Sequence, residues 1–104
     1  MTPQVISLSS ATSTAWIPVD YKQNPFNIGF AVVIPSGTLT YQIEHTFDDI
    51  FNSSVTPTVF IHSSVSGKTT NQDGNYAFPV RAVRLTITSW TSGSAILTLL
   101  QGVR

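Results

Sequence analysis

The 104 residues contain no cysteine, which rules out disulfides and thiolate metal sites. Charge is scarce: Asp, Glu, Lys and Arg make up 10% of the chain, against about 25% in an ordinary soluble domain. The five basic and five acidic residues cancel, so no net field draws the protein to nucleic acid or an anionic membrane. No run approaches the roughly eighteen apolar residues of a membrane span. MTPQVISLSS lacks a basic segment followed by an apolar one, so no signal peptide is expected, and synthesis in a reducing cytoplasm is. No segment keeps helical spacing over three turns.

What fills the gap is serine and threonine, about a quarter of the chain, beside a hydrophobic fraction of 41%. That much Val, Ile, Leu and Phe excludes disorder, and the β-branched content fits a pleated, half-buried surface. One domain, residues 1–104, is expected, large enough to bury a core without staples. A surface this poor in charge is suited to contact, because interface cores are depleted in charge.

Alternation and turn residues then divide the chain. Val5 to Ser9 reads as a first strand, and Thr14 to Val19 as an edge strand, since Pro18 cannot donate to a ladder. Asn24-Pro25 marks a turn. Asn27 to Ile34 is almost continuously apolar, which predicts a central strand covered on both faces. Pro35-Ser36-Gly37 turns the chain. Leu39 to Phe47 alternates strictly, with Leu39, Tyr41, Ile43, His45 and Phe47 on one face and a wet face of Thr40, Gln42, Glu44 and Thr46 on the other. A loop leads to a strand over Thr56 to Ser63, and residues 64–75 read as a long exposed loop. Val80 to Trp90 places Val83, Leu85 and Ile87 on one face and Arg84, Thr86 and Thr88 on the other, with Arg81 at the rim. Thr91-Ser92-Gly93 turns into a last strand, Ala95 to Gln101. Seven or eight such strands predict an all-β, two-sheet antiparallel sandwich of jelly-roll or Greek-key type. Strand count alone leaves the jelly roll and the immunoglobulin-like sandwich both open.

Motifs of chemistry fail on inspection. Gly67-Lys68-Thr69 ends like a phosphate-binding loop, but His62 stands where the first glycine belongs, and turn formers follow where a helix is needed. Asp73-Gly74 there reads as a tight turn. Asn71, Asp73 and Asn75 alternate like the start of a calcium loop, without the closing Glu. His45 and His62, the two imidazoles, share a face if Phe47 pairs with Thr56. That register separates them by four residues, roughly 13 Å, and a shifted register brings them together. His45 with Asp48 or Asp49 lacks a Gly-x-Ser-x-Gly nucleophile. Asp48 and Asp49 are adjacent at a strand end, not opposed across a cleft. No catalytic, cofactor or metal residues are assigned, and no enzyme is expected. Trp16, Tyr21, Tyr76 and Trp90 are the candidate interface residues, each able to stack on a sugar ring or anchor a protein contact.

NPFNIGFAVVIPSGTLTYQIEHTFDDIF (24–51) and DGNYAFPVRAVRLTITSWTSGSAILTLLQG (73–102) resemble a group of small tailed-bacteriophage virion proteins. The resemblance implies a non-enzymatic β-sandwich, a head decoration (cement) protein made in the host bacterial cytoplasm and located on the virion. It would contact the major capsid protein or another virion protein as a symmetric homo-oligomer, for instance a trimer, with neither nucleic acid nor membrane as partner and without a cofactor. Residues 1–5 and 102–104 would serve as arms across a neighbour. The alternatives are a carbohydrate- or receptor-binding module of a phage fibre or tail tip, and a neck, baseplate or tail structural protein.

Overall fold

Eight antiparallel strands form two four-stranded sheets in the structure, a computed structural model that describes residues 4–19 and 27–101. They are β1 (Gln4–Leu8), β2 (Ile17–Pro18), β3 (Ile28–Ser36), β4 (Leu39–Thr46), β5 (Phe60–Ile61), β6 (Gln72–Tyr76), β7 (Ala82–Trp90) and β8 (Ser94–Gln101). One sheet has the order β1-β8-β3-β6 and the other β2-β7-β4-β5. Thus β1 pairs with β8, β2 with β7, β3 with β6 and β4 with β5, the pairing of one long hairpin. Rolling that hairpin up adds the β3–β8 and β4–β7 ladders. This is the jelly-roll order, and it decides against the immunoglobulin-like alternative.

The core lies between the sheets. Ile28, Phe30 and Val32 of β3 and Leu97 and Leu99 of β8 face Tyr41 and Ile43 of β4 and Val83, Leu85 and Ile87 of β7. Each such aliphatic side chain contributes about 1.5–3 kcal/mol by leaving water. The alternation read from Leu39–Phe47 and Val80–Trp90 places these residues correctly. At the far end, the β3–β4 and β7–β8 turns meet backbone to backbone at Gly37 and Gly93, both with positive φ (104° and 84°). Thr38 N–H donates to Ser92 O, and Thr38 O accepts from the N–H groups of Thr91 and Ser92.

Several expectations are corrected. β3 is a central strand, but only its Ile28, Phe30 and Val32 face is buried; Gly29 and Val33 on the outward face are exposed and Ala31 is half-buried. An apolar run of this length meets the pattern of a doubly covered strand equally well, because both faces are apolar. The edge strand at Thr14–Val19 shortens to Ile17–Pro18, with Pro18 on the edge as expected. Ahead of it, Thr14 N–H donates to Leu85 O, and Ile87 N–H donates to Thr12 O. The strand expected over Thr56–Ser63 keeps only Phe60–Ile61. Pro57 has no donor, and Thr58 N–H is taken by the Asp48 carboxylate at 2.7 Å, which ends the ladder.

Residues 64–75 are no free loop. Lys68 exchanges both backbone bonds with Tyr41, Val65 O accepts from Ile43 N–H, and Val65 is buried. The chain then crosses to the other sheet, where Gln72–Tyr76 is a strand and Asp73-Gly74 lies within it, with no turn. Gly74 is there because a Cβ would stand 2.8 Å from the Phe30 ring. Of the proposed arms, Gln4 and Val5 belong to β1; residues 1–3 and 102–104 and the Asn24-Pro25 turn lie outside the described residues.

Candidate functional site

Three surfaces emerge from this scaffold. The first is the supposed wet face of β4. Glu44 and Thr46 are buried there, a correction with a definite cause. Gln42 Nε2 donates to Glu44 Oε2 at 2.6 Å, and Oε1 accepts from Arg84 Nε at 2.6 Å and Thr86 Oγ1 at 2.8 Å. Since the Thr86 hydrogen is spent on Glu44, the 2.8 Å contact with Ser13 Oγ is a bond that Ser13 donates. Trp16 completes the layer, its ring centroid 4.3 Å from Arg84 Cζ, a cation–π contact. Burial pushes the Glu44 carboxyl up, but the bonds from Gln42, Arg84 and Thr86 and the Arg84 charge outweigh it and hold it below its ordinary value. This is a structural ion pair.

The second surface is the outward face of the β1-β8-β3 sheet. Register puts Val5 beside Thr98 and Ala31, and Ser7 beside Ile96 and Val33. Leu100 stands beside Gly29. Val5 (66% exposed), Leu100 (50%) and Val33 (43%) are bare to water. Between Ala31, Thr98 and Leu100 lies a hollow of about 280 Å³, kept open because Gly29 has no side chain and nothing stands within 4 Å of where one would begin.

The third surface lies along the β5 edge. β4 and β5 pair His45 with Phe60 and Glu44 with Ile61, two residues away from the expected register. His62 therefore sits against Ile43, to whose carbonyl its N–H donates, two positions from His45. Both rings pack on Tyr76, each with its centroid 4.9 Å away. His62 Nδ1 accepts from the backbone N–H groups of Ser64 and Val65, so the neutral ring keeps its hydrogen on Nε2 and donates it to Asn75 O at 3.0 Å. His45 Nδ1 and the Tyr76 hydroxyl are 2.9 Å apart. Phe47, Phe60 and Phe78 surround His45, with ring centroids 5.6–5.8 Å from it. Burial, and then the neighbouring His62, pushes the His45 ring below its ordinary value, and burial raises the Tyr76 hydroxyl above its own.

The His45 shift has a sign that can be tested. In the unfolded chain the ring takes up a proton near 6.5, whereas the folded protein keeps it neutral to lower pH. The unfolded state then binds more protons, so stability is full above that value and falls as the pH drops below it. Melting temperature is expected to decline between about pH 7 and about pH 5, and His45→Gln is expected to flatten that slope, read by circular dichroism.

Of the four candidate interface residues, Tyr76 is fully buried and is corrected to a core residue. Its position opposite Ile28 turns it between the sheets. Trp16 is half-buried over Arg84. Trp90 is 41% exposed, but its indole N–H donates to Gly93 O at 2.9 Å and staples the β7–β8 turn. Tyr21 lies outside the described residues. What sequence reading missed are Phe47, Phe60 and Phe78, each about half exposed. Their sequence signal was weak, since other large hydrophobes, among them Val5, Phe51, Ile61 and Leu100, are equally or more exposed. Arg81, expected at the rim, is there, 3.8 Å from Asp49. Among the described residues no group of three or more His, Cys, Asp or Glu gathers to hold a metal.

No family model matches the sequence, and no curated protein does. A solved structure of a Bacillus endospore appendage, described as one of a family of disulfide-linked pili, is similar at a TM-score of 0.49 and 15% identity, over 93% of this chain and 81% of that one. The present sequence has no cysteine to form such a linkage.

Proposed function

We propose that the protein is a non-enzymatic structural module that works by surface contact, and specifically a decoration (cement) protein of a tailed-bacteriophage head, located on the virion. The observation that carries the contact reading is the outward face of β1-β8-β3. Val5, Val33 and Leu100 are exposed there around the half-buried Ala31, Ile96 and Thr98. A rigid sheet presenting a contiguous apolar patch is the usual mark of a protein-binding surface. The phage assignment draws its support from the resemblance of residues 24–51 and 73–102 to virion proteins, and from a jelly-roll order that capsid domains also use. Fold by itself does not specify function. The partner in this reading is the major capsid protein, approached by a symmetric homo-oligomer.

The test is co-sedimentation with expanded, undecorated capsids of the phage that carries the gene. Saturable binding at a fixed copy number per capsid subunit, with a raised capsid melting temperature, is the expected result. Val33→Asp combined with Leu100→Asp is expected to weaken binding at least tenfold while leaving the protein's own melting curve close to the parent, because both side chains point away from the core. A protein that stays in the supernatant, or that sediments with tails or host cells instead, overturns the head assignment.

A further inference from the structure

Beside His45, between the β5 edge and the chain that follows β6, lies an open cavity of about 540 Å³, within the range of small-molecule sites. None of its nine lining residues is Asp, Glu, Lys or Arg, so none of these opposite charges is there to pair with a charged ligand. Phe60 and Phe78, 47% and 50% exposed, are the aromatic part of its apolar lining, beside Ile61 and Ala77. These are not loose surface rings. Phe60 stacks on His45 at an interplanar angle of 20°, and Phe78 meets Tyr76 nearly perpendicular, at 84°. The two rings are not coplanar: Phe60 lies 20° and Phe78 70° from the His45 plane, so, braced from behind and bare in front, they make an apolar corner at little cost in side-chain entropy.

The polar part is equally specific. Ser63 and Ser64 line the cavity, and among the described residues neither hydroxyl has a partner. His45 is also in the lining. Its Nδ1 is engaged by Tyr76, and its Nε2 has no partner among the described residues. Every buried side-chain nitrogen and oxygen among them is satisfied, so Nε2 reaches solvent. Whether Nε2 bears the hydrogen depends on which way the Tyr76 bond runs. A ligand hydroxyl serves either case, since it both donates and accepts.

We propose that this cavity binds a neutral saccharide, one sugar ring packed in the angle between Phe60 and Phe78 with its hydroxyls directed to His45 Nε2, Ser63 and Ser64. The site is independent of the capsid reading and shares no residue with the outward sheet face. A decoration protein docked by that face would carry the saccharide site as a second function.

The probes are glucose, galactose, mannose, N-acetylglucosamine and their 1,4-linked dimers, titrated to about 50 mM, well above a weak Kd of about 1 mM. Saturation-transfer NMR reads magnetisation passing from the phenyl protons to the sugar, and the side-chain 15N signals of both histidines are followed. For at least one sugar, transfer and a shift at His45 Nε2 are expected, with His62 unmoved because both its nitrogens are already bonded. Phe60→Ala and Phe78→Ala should each weaken binding at least tenfold, while Trp90→Ala, outside the cavity, should leave it unchanged. Silence of the His45 signal across the whole panel overturns the proposal on the wild-type protein alone, as does binding that survives both phenyl substitutions. Self-association that Phe60→Ala abolishes, with no sugar response, also overturns it, since the phenyls then belong to a contact between copies. A negative sugar result leaves capsid co-sedimentation untouched, so the two readings fail separately.

Discussion

Gly93→Ala is expected to lower the melting temperature by roughly 15 °C or more. Two costs add. At φ 84° an L side chain meets the left-handed penalty of about 1–2 kcal/mol. The new Cβ would also fall inside the contact radius of Ser36 O and Gly37 Cα, which are backbone atoms and cannot rotate away. Overpacking of this kind adds about 1–3 kcal/mol or more. Gly37→Ala is expected to be comparably damaging, because its Cβ would strike Ser92 O and Gly93. Gly67→Ala is the internal control. Its φ is also positive, 61°, but nothing lies within 4 Å of the added carbon, so only the conformational cost of about 1 kcal/mol applies. Thermal melts of the three variants separate strain from collision. Equal losses in all three would show that the turn-to-turn contact has no energetic weight.

The second large effect concerns Glu44 and Arg84. Their side chains are 7% and 23% exposed, with the pair closed at 2.6 Å. Arg84→Met is expected to cost about 3 kcal/mol in urea unfolding, because it strands a buried carboxylate with only Gln42 and Thr86 for support. Glu44→Leu should cost less, about 2 kcal/mol, since the more exposed guanidinium can turn toward water. The double variant should recover to within about 1 kcal/mol of the parent, as replacing a buried pair by apolar groups often does. Additive losses would mean that the pair is not a coupled unit. The acid limb provides a second readout. The folded carboxyl titrates below its ordinary 4.5, so its contribution is present above that value and is lost as pH falls through the lower folded one. Arg84→Met should shrink that component, leaving the earlier decline below about 6.5 that His45 produces.

How much of the site was legible follows from where each residue's environment is made. The common face of His45 and His62 was readable, because period-two alternation is local. Their closeness was not, since it depends on a two-residue register difference between β4 and β5, and the Asp48 carboxylate that ends β5 lies ten positions from Thr58. Alternation likewise marked Glu44 as pointing away from the core. It could not show that Ser13 and Trp16 would bring Thr86 and Arg84 into one layer with it, because those contacts span 73 residues for Ser13–Thr86 and 42 for Thr86–Glu44. Asp73-Gly74 was misread as a turn for a related reason. Glycine signals a special backbone wherever it occurs, and here what it accommodates is the Phe30 ring of another strand.

By itself, the sequence determined the all-β class, the inward faces of β4 and β7, the edge position of Pro18 and the turns at Gly37 and Gly93. Each follows from alternation or from a backbone restriction carried by the residue itself. Only the tertiary structure decided the jelly-roll pairing, the conversion of residues 72–76 into a strand, the burial of Glu44 and Tyr76, and the cavity beside His45. Alternation states which way a side chain points and is silent about what it meets, and the partner is chosen by which distant strands fit when the two sheets close on each other.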